Sequence, residues 1–399
     1  MVIRTYDVNL AWSTEDLGPA PIAAPPVSHS ILTPLSAECY SAERKIKPNI
    51  VEVHVWIPHT TNGTFVEYER FGGVVINPAA GFVMTCRSVM ASPMCNLKVL
   101  FADSIEVPAK RLYVHALGFA VIQYDPSLVE SSIGSVTFST RVPKTQDKIT
   151  IYGPIINGDT CLMESTVISI GPLICPYMCE FFYYPINMDV LHFKKTYWGF
   201  GVLLDEDGDL QGVYLPFTVG VECVGVPLSL LMPAFKTLRN GILPPECRML
   251  DVQLGVVHKN DAQAFGVPKG IPLPLKPAVL LLIHPKETVM AFPQRNLIRV
   301  AKVSCDHKNG LKAGDVIVKY GGNLVSKMSD LRDMFTHTTL RLSVIRGQAE
   351  VDVDALTVPT SSRQTDRVVW FAGAQFEPPY SPIPLMARKL QSDLCDRHW

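Results

Sequence analysis

Along the chain, β-branched and aromatic residues gather in short runs that Gly, Pro, Asn or Asp close off. IVEVHVWIP (50–58), FGGVVINP (71–78), GFVMTC (81–86), LKVLFA (97–102), FAVIQYD (119–125), KITIYGPI (148–155) and FGVLLDEDGDLQGVYL (200–215) are such runs. Side chains of this type fit a pleated, half-buried surface, and the punctuating residues supply the turns between them. Short strands at this spacing predict a mainly β fold, a barrel or a sandwich. Residues 1–35 hold the proline-rich run Pro19 to Pro26 without sustained periodicity, and read as an arm or linker.

Near residue 235 the pattern changes. LRNGILPPE forms a hinge and DVQLGVV (251–257) opens a new unit, followed by NLIRVAKVS, HKNGLKAGDVIVKYGGNLVSKMSDLRDMF, LRLSVIRG and AEVDVDALTV. The predicted order is strand, glycine turn, strand, polar turn, a helix begun by Ser329 and Asp330, and two closing strands.

Two stretches admit a second reading. Val213 to Phe235 carries one charge, Glu222, over 23 residues, which is long enough to cross a bilayer. Pro216, Pro227 and Pro233 cut it into pieces that read as buried strands followed by a short helix, so no transmembrane helix is expected. The carboxylates of Asp205 to Asp209 resemble the opening of a calcium loop, but Leu210 stands where such a loop needs glycine. A hairpin fits better, with Asp207-Gly208 supplying the positive φ of a tight turn.

Composition narrows the function. Lys plus Arg is 36 against 37 for Asp plus Glu, so no field of one sign exists to gather nucleic acid or anionic membrane. With 47% hydrophobic and 18% charged residues the chain is globular, and its 32 prolines disfavour a helical protein. The beginning of the chain lacks an apolar signal segment, so the ten cysteines are expected as thiols. Cys175 and Cys179, with Cys161 and His192 nearby, lack the second matched pair of a structural zinc site, and neither metal nor cofactor is expected.

GLKAGDVIV (310–318), with the helix DLRDMF and the strands RLSVIRGQAEVDVDALTV, resembles the PDZ domains attached to HtrA/Deg-type serine proteases. Upstream, FGGVVINPAAGFVMTCRSVM, GFAVIQYDP and WGFGVLLDEDGDLQGVYL resemble the segments that carry the His, Asp and Ser of those proteases. INMDVLHF, EVPAKRLYVHAL and TDRVVWFAGAQFEPP (365–379) bring the likeness closer to the degenerate second repeat of fungal nuclear pro-apoptotic HtrA-like proteases and plant Deg relatives. The resemblance covers about residues 35–380. It implies a chymotrypsin-like double β-barrel without catalytic residues, followed by a PDZ-like domain. The implied divisions are an arm at 1–35, a degenerate protease domain at 36–235, a PDZ-like domain at 240–358 and a truncated start of a further PDZ-like segment at 359–399.

Carried over position by position, the resemblance puts Ser88 where the family has His, Gly118 where it has Asp, and Gly199 where it has the nucleophilic Ser. Tyr197 takes the first glycine position of the oxyanion turn, where a side chain restricts the backbone. Loss of a triad leaves at best ~10³ to 10⁴ over water, and only with an intact oxyanion hole. His115 and Trp198 read as structural, Cys86 as a buried thiol.

The PDZ-like unit keeps more of its parts. Gln253, Leu254, Gly255 and Val256 resemble the loop whose N–H groups hold a peptide's terminal carboxylate, with the ligand added to a sheet edge. Leu331 and Phe335, four apart on a helix, share a face and either line the apolar pocket or belong to the core. The resemblance thus implies binding of proteins or peptides through extended or C-terminal segments, homo-oligomerisation through the barrels, and an intracellular place, nuclear or cytoplasmic. The alternative is a fragment or split half of an HtrA-like endopeptidase whose triad lies elsewhere; the ending PLMARKLQSDLCDRHW leaves the family pattern.

Overall fold

The computed structural model describes residues 35–376, apart from 58–67, 88–93, 102–104, 130–132, 135, 155–159, 174–186, 198, 217–222, 259–265, 268–295, 304–309, 364–367 and 373. The proline-rich arm, Ser88 and Trp198 lie outside the described residues.

The described chain opens on a helix that the strand pattern does not announce, α1 (Ala37–Ile46). Its signals are local. The Ser36 hydroxyl accepts from the Cys39 N–H as N-cap, Glu38 stands in the first turn, Arg44 and Lys45 in the last, and Cys39, Ala42 and Ile46 form the buried side.

The first barrel consists of β1 (Ile50–Trp56), β2 (Tyr68–Asn77), β3 (Phe82–Cys86), β4 (Asn96–Phe101), β5 (Ile105–Val114) and β6 (Phe119–Tyr124), closed in the order β1-β2-β3-β6-β5-β4. In β1 the side chains alternate, Val51, Val53 and Val55 going to the core, whereas β3 is buried throughout. The second barrel closes as β10-β11-β12-β9-β8-β7 from β7 (Lys148–Pro154), β8 (Thr160–Pro172), β9 (Asp189–Phe193), β10 (Gly201–Leu204), β11 (Leu210–Pro216) and β12 (Cys223–Pro227). Closure leaves no exposed edge on either barrel. Asp205 to Asp209 is the expected hairpin turn: Gly208 has φ +73° and its N–H donates to the Asp205 carbonyl at 3.0 Å.

After β12 the chain enters α2 (Leu228–Arg239), which continues through Pro233 instead of stopping there, one backbone hydrogen bond short. Its apolar side reaches back to the first barrel. Phe235 stacks on Phe119 at 5.5 Å, and the Asn77 side-chain amide donates to the carbonyls of Leu238 and Arg239, satisfying the helix end.

A third sheet follows, ordered β13-β19-β18-β16-β15-β14, from β13 (Arg248–Leu250), β14 (Val252–His258), β15 (Asn296–Val303), β16 (Val316–Tyr320), β18 (Thr339–Arg346) and β19 (Ala349–Pro359), with β17 (Asn323–Leu324) paired to β16. The GLKAGD turn is fixed by Asp315, 2% exposed, which accepts from the Lys312 N–H and two hydrogen bonds from Arg346 at 2.6 and 2.8 Å. A small hairpin, β20 (Val369–Phe371) with β21 (Ala374–Phe376), closes the described residues.

The helix expected from Ser329 is a 3-10 helix over Met328–Phe335, with Leu331 outside helical geometry. Its buried residues Met328, Leu331 and Met334 recur at the three-residue period of that helix. Leu331 and Phe335 therefore do not share a face. Leu331 is wholly buried in the core of the third sheet, and Phe335 turns toward His115 of the first barrel, ring centroids 5.3 Å apart.

No helix among the described residues is long and apolar enough to cross a membrane.

Candidate functional site: the crevice between the barrels and the edge of the third sheet

Gly118 sits in the tight turn between β5 and β6 with φ +90°, a conformation glycine takes without steric cost. Its carbonyl accepts from the Arg87 N–H at 2.8 Å, which ties this turn to the end of β3, one residue before Ser88. Beside it His115 is buried, stacks on Phe119 at 4.7 Å, and accepts the Leu117 N–H at Nδ1. Burial and then the Arg87 charge hold its pKa down at about 3, so the ring is neutral and its Nδ1 is already used. It is no displaced general base.

Gly199 is buried on the second barrel. Burial pushes the Cys223 thiol, on β12, above its ordinary range. Cys86, at the end of β3, and Cys223 are both buried. Among the described residues, the end of β3 and the Gly118 turn bring a thiol, a glycine and a neutral imidazole to this side, and the second barrel brings Gly199.

The turn that would bind an oxyanion is closed on itself. Tyr197 N–H donates to the Tyr214 hydroxyl at 2.9 Å, and that hydroxyl donates onward to the Tyr197 carbonyl at 2.7 Å. The two rings stack at 4.9 Å, and the Tyr197 hydroxyl donates to the Phe200 carbonyl. Gly201 makes room for it, since a Cβ there would lie 2.3 Å from the Tyr197 Oη. Tyr214 is wholly buried and was not flagged by sequence; it reads there as one more aromatic in a strand.

The third sheet presents the other site. A cleft of about 900 Å³ lies between it and the second barrel, with Val256, Ile298, Tyr320 and Met328 on one wall and Leu191 and Leu230 on the other. Of the six residues proposed from sequence, Val256 lines this cleft; Leu331 and Phe335 do not, for the reason of helix period given above. Gln253, Leu254 and Gly255 form strand and not loop, with a register shift between Gln253 and Leu254 against β15. β14 ends the sheet, so one edge of it faces away from β15.

Two residues at the second barrel that sequence reasoning passed over meet the third sheet's unit here, one at that edge and one at the 3-10 helix. Asn187, 5% exposed, donates through Nδ2 to the Val252 carbonyl and accepts from the Leu254 N–H at Oδ1, both at 2.8 Å. The Asp189 carboxylate accepts from the Ser329 N–H at 2.8 Å, at the start of the 3-10 helix. The one sequence signal was two polar residues, 187 and 189, alternating into an apolar strand. Cys175 and Cys179 lie outside the described residues, among which no group of three or more His, Cys, Asp or Glu could hold a metal.

No protein-family model matches the chain. It is 28% identical over 421 residues to the pro-apoptotic serine protease nma111 of Neosartorya fischeri, covering 99% of this chain and 39% of that protein. It is 26% identical over 403 residues to the protein of the same name from Phaeosphaeria nodorum, covering 96% and 38%. The chain thus spans about two fifths of the length of the curated relatives it matches. Among solved structures, the HtrA-type protease AlgW with decapeptide matches 82% of this chain and 99% of that one, with a TM-score of 0.51 at 16% identity, a likeness of fold. The chain is thus similar in sequence to proteins named pro-apoptotic serine proteases and similar in fold to an HtrA-type protease.

Proposed function

We propose that this chain is a non-catalytic HtrA-like protein that binds peptides or proteins through extended segments. The observation that carries this is the oxyanion turn, whose Tyr197 N–H is spent on Tyr214, beside positions 118 and 199 that lack side chains altogether. Without that donor and a base, the crevice lacks much of the stabilisation that a tetrahedral intermediate needs. Residues 36–235 then act as a scaffold, and 240–358 as a PDZ-like unit whose β14 edge and adjoining cleft receive the ligand. AlgW, the fold neighbour, was solved with a decapeptide, which supports the same use of this fold. Residues 359–399 read as the start of a further PDZ-like segment, and association of copies through the barrels fits the same picture.

An immobilised library of short peptides with free C-termini tests the reading. The full chain should retain a subset, and Val256→Asp, which puts a carboxylate into the apolar wall, should weaken retention by about tenfold or more. A chain that retains no peptide, or a variant that retains them unchanged, removes the cleft from consideration.

The two-fifths span favours a second reading, in which this region accompanies a catalytic repeat elsewhere in a longer endopeptidase. Genomic sequence upstream of Met1 separates the two: an in-frame repeat with intact His, Asp and Ser favours the second.

A further inference from the structure

Asn187 bonds β14 as a ligand strand would. The free edge of a strand presents carbonyls and N–H groups at alternate residues, and an added strand satisfies them one residue at a time. The Asn187 carboxamide takes the Val252 carbonyl and the Leu254 N–H together, supplying one donor and one acceptor. The next outward carbonyl, that of Leu254, accepts from the Gln253 side chain at 3.0 Å. A side chain from another barrel, nearly without solvent exposure, thus fills the position where strand addition would begin. Asp189, two residues on in the chain, holds the opposite side of the cleft through the Ser329 N–H.

We infer that Asn187 is a built-in lock on the peptide cleft: the second barrel occupies the β14 edge in cis, and a ligand binds by exchanging with it. This rests on the peptide-binding reading above. The exchange is near balance in hydrogen bonds, because the ligand backbone replaces the two bonds that Asn187 gives up. Affinity is therefore set by how readily the second barrel releases the strand.

Two measurements on the full chain test it. Hydrogen exchange should find the Leu254 amide protected although it faces away from β15, and Asn187→Ala should speed its exchange by about tenfold or more. Peptides from the immobilised library should bind Asn187→Ala about thirtyfold more tightly than the parent, the ratio corresponding to two hydrogen bonds of ordinary net strength. Should Asn187→Ala fold poorly, Asn187→Asp keeps the acceptor for Leu254, loses the donor to Val252, and should lie between parent and alanine variant. Unchanged exchange at Leu254, or equal peptide affinity in parent and variants, overturns the lock while leaving peptide binding intact. Faster exchange in a variant that still binds no peptide overturns the binding reading, and the gating with it.

Discussion

A variant carrying Ser88→His, Gly118→Asp and Gly199→Ser together should hydrolyse unfolded casein no faster than the parent chain. Three side chains are restored, but the electrostatic half of the machinery is not. The Tyr197 N–H remains engaged by Tyr214, and a turn holding φ +90° at residue 118 resists the aspartate that must orient a histidine. A missing oxyanion donor costs ~10² to 10³ in rate, so this alone leaves the variant about that far below a protease with an open hole. Adding Tyr214→Phe frees the Tyr197 N–H and should be the first change to raise the rate of the triple variant. Turnover by the triple variant within about tenfold of an active HtrA-type protease would mean that the turn reopens when substrate arrives.

The second large effect is a pH dependence centred on His115. Its unfolded pKa lies near 6.5 and its folded value near 3, because the ring is buried, faces the Arg87 charge, and has Nδ1 filled by the Leu117 N–H. Between those values the unfolded chain binds the extra proton. This contribution to stability is therefore fully present above about pH 6.5 and is lost as pH falls toward 3. The slope is about 1.4 kcal/mol per pH unit, which amounts to ~5 kcal/mol across the window and ~3 kcal/mol at pH 4. His115→Gln keeps an acceptor for Leu117 and does not titrate, so its stability relative to the parent should rise as the solution is acidified. Urea unfolding of both proteins at pH 7 and near pH 4 checks this. Equal losses in parent and variant would show that the imidazole gains solvent before it charges. Phe335 covers the same ring, so acidification should also loosen the third sheet from the first barrel.

These results also mark what could be read beforehand. Most strands of both barrels follow from β-branched runs between turn residues, β8 and β9 excepted, and the Asp207-Gly208 hairpin from one positive φ. β5 was harder, because Pro108 and the charges of EVPAKR break the run, and a closed barrel accepts them where its outer face meets water. The strand signal also hid α1, which rests on one cap and three buried positions. At the site, the resemblance alone offers positions 88, 118 and 199, but the bonding of the Tyr197 turn needs Tyr197 and Tyr214, 17 residues apart in sequence, to meet through space. The error over Leu331 and Phe335 is one of period. Spacing of four assumes 3.6 residues per turn, and in a 3-10 helix Leu331 goes wholly into the third sheet's core while Phe335 stays partly buried between that core and the first barrel. Asn187 was invisible for a related reason, since its partners lie 65 and 67 residues downstream.

The central claim, that the crevice between the barrels is not a serine active site, is tested most directly by a fluorophosphonate probe, which needs an activated hydroxyl beside an oxyanion hole. Incubated with the purified full chain and analysed by mass spectrometry, the probe should leave every serine unmodified, Ser88 included, while an active HtrA-type protease in the same tube is labelled. Stoichiometric labelling of a single serine, abolished when that serine alone is replaced by alanine, would contradict the account.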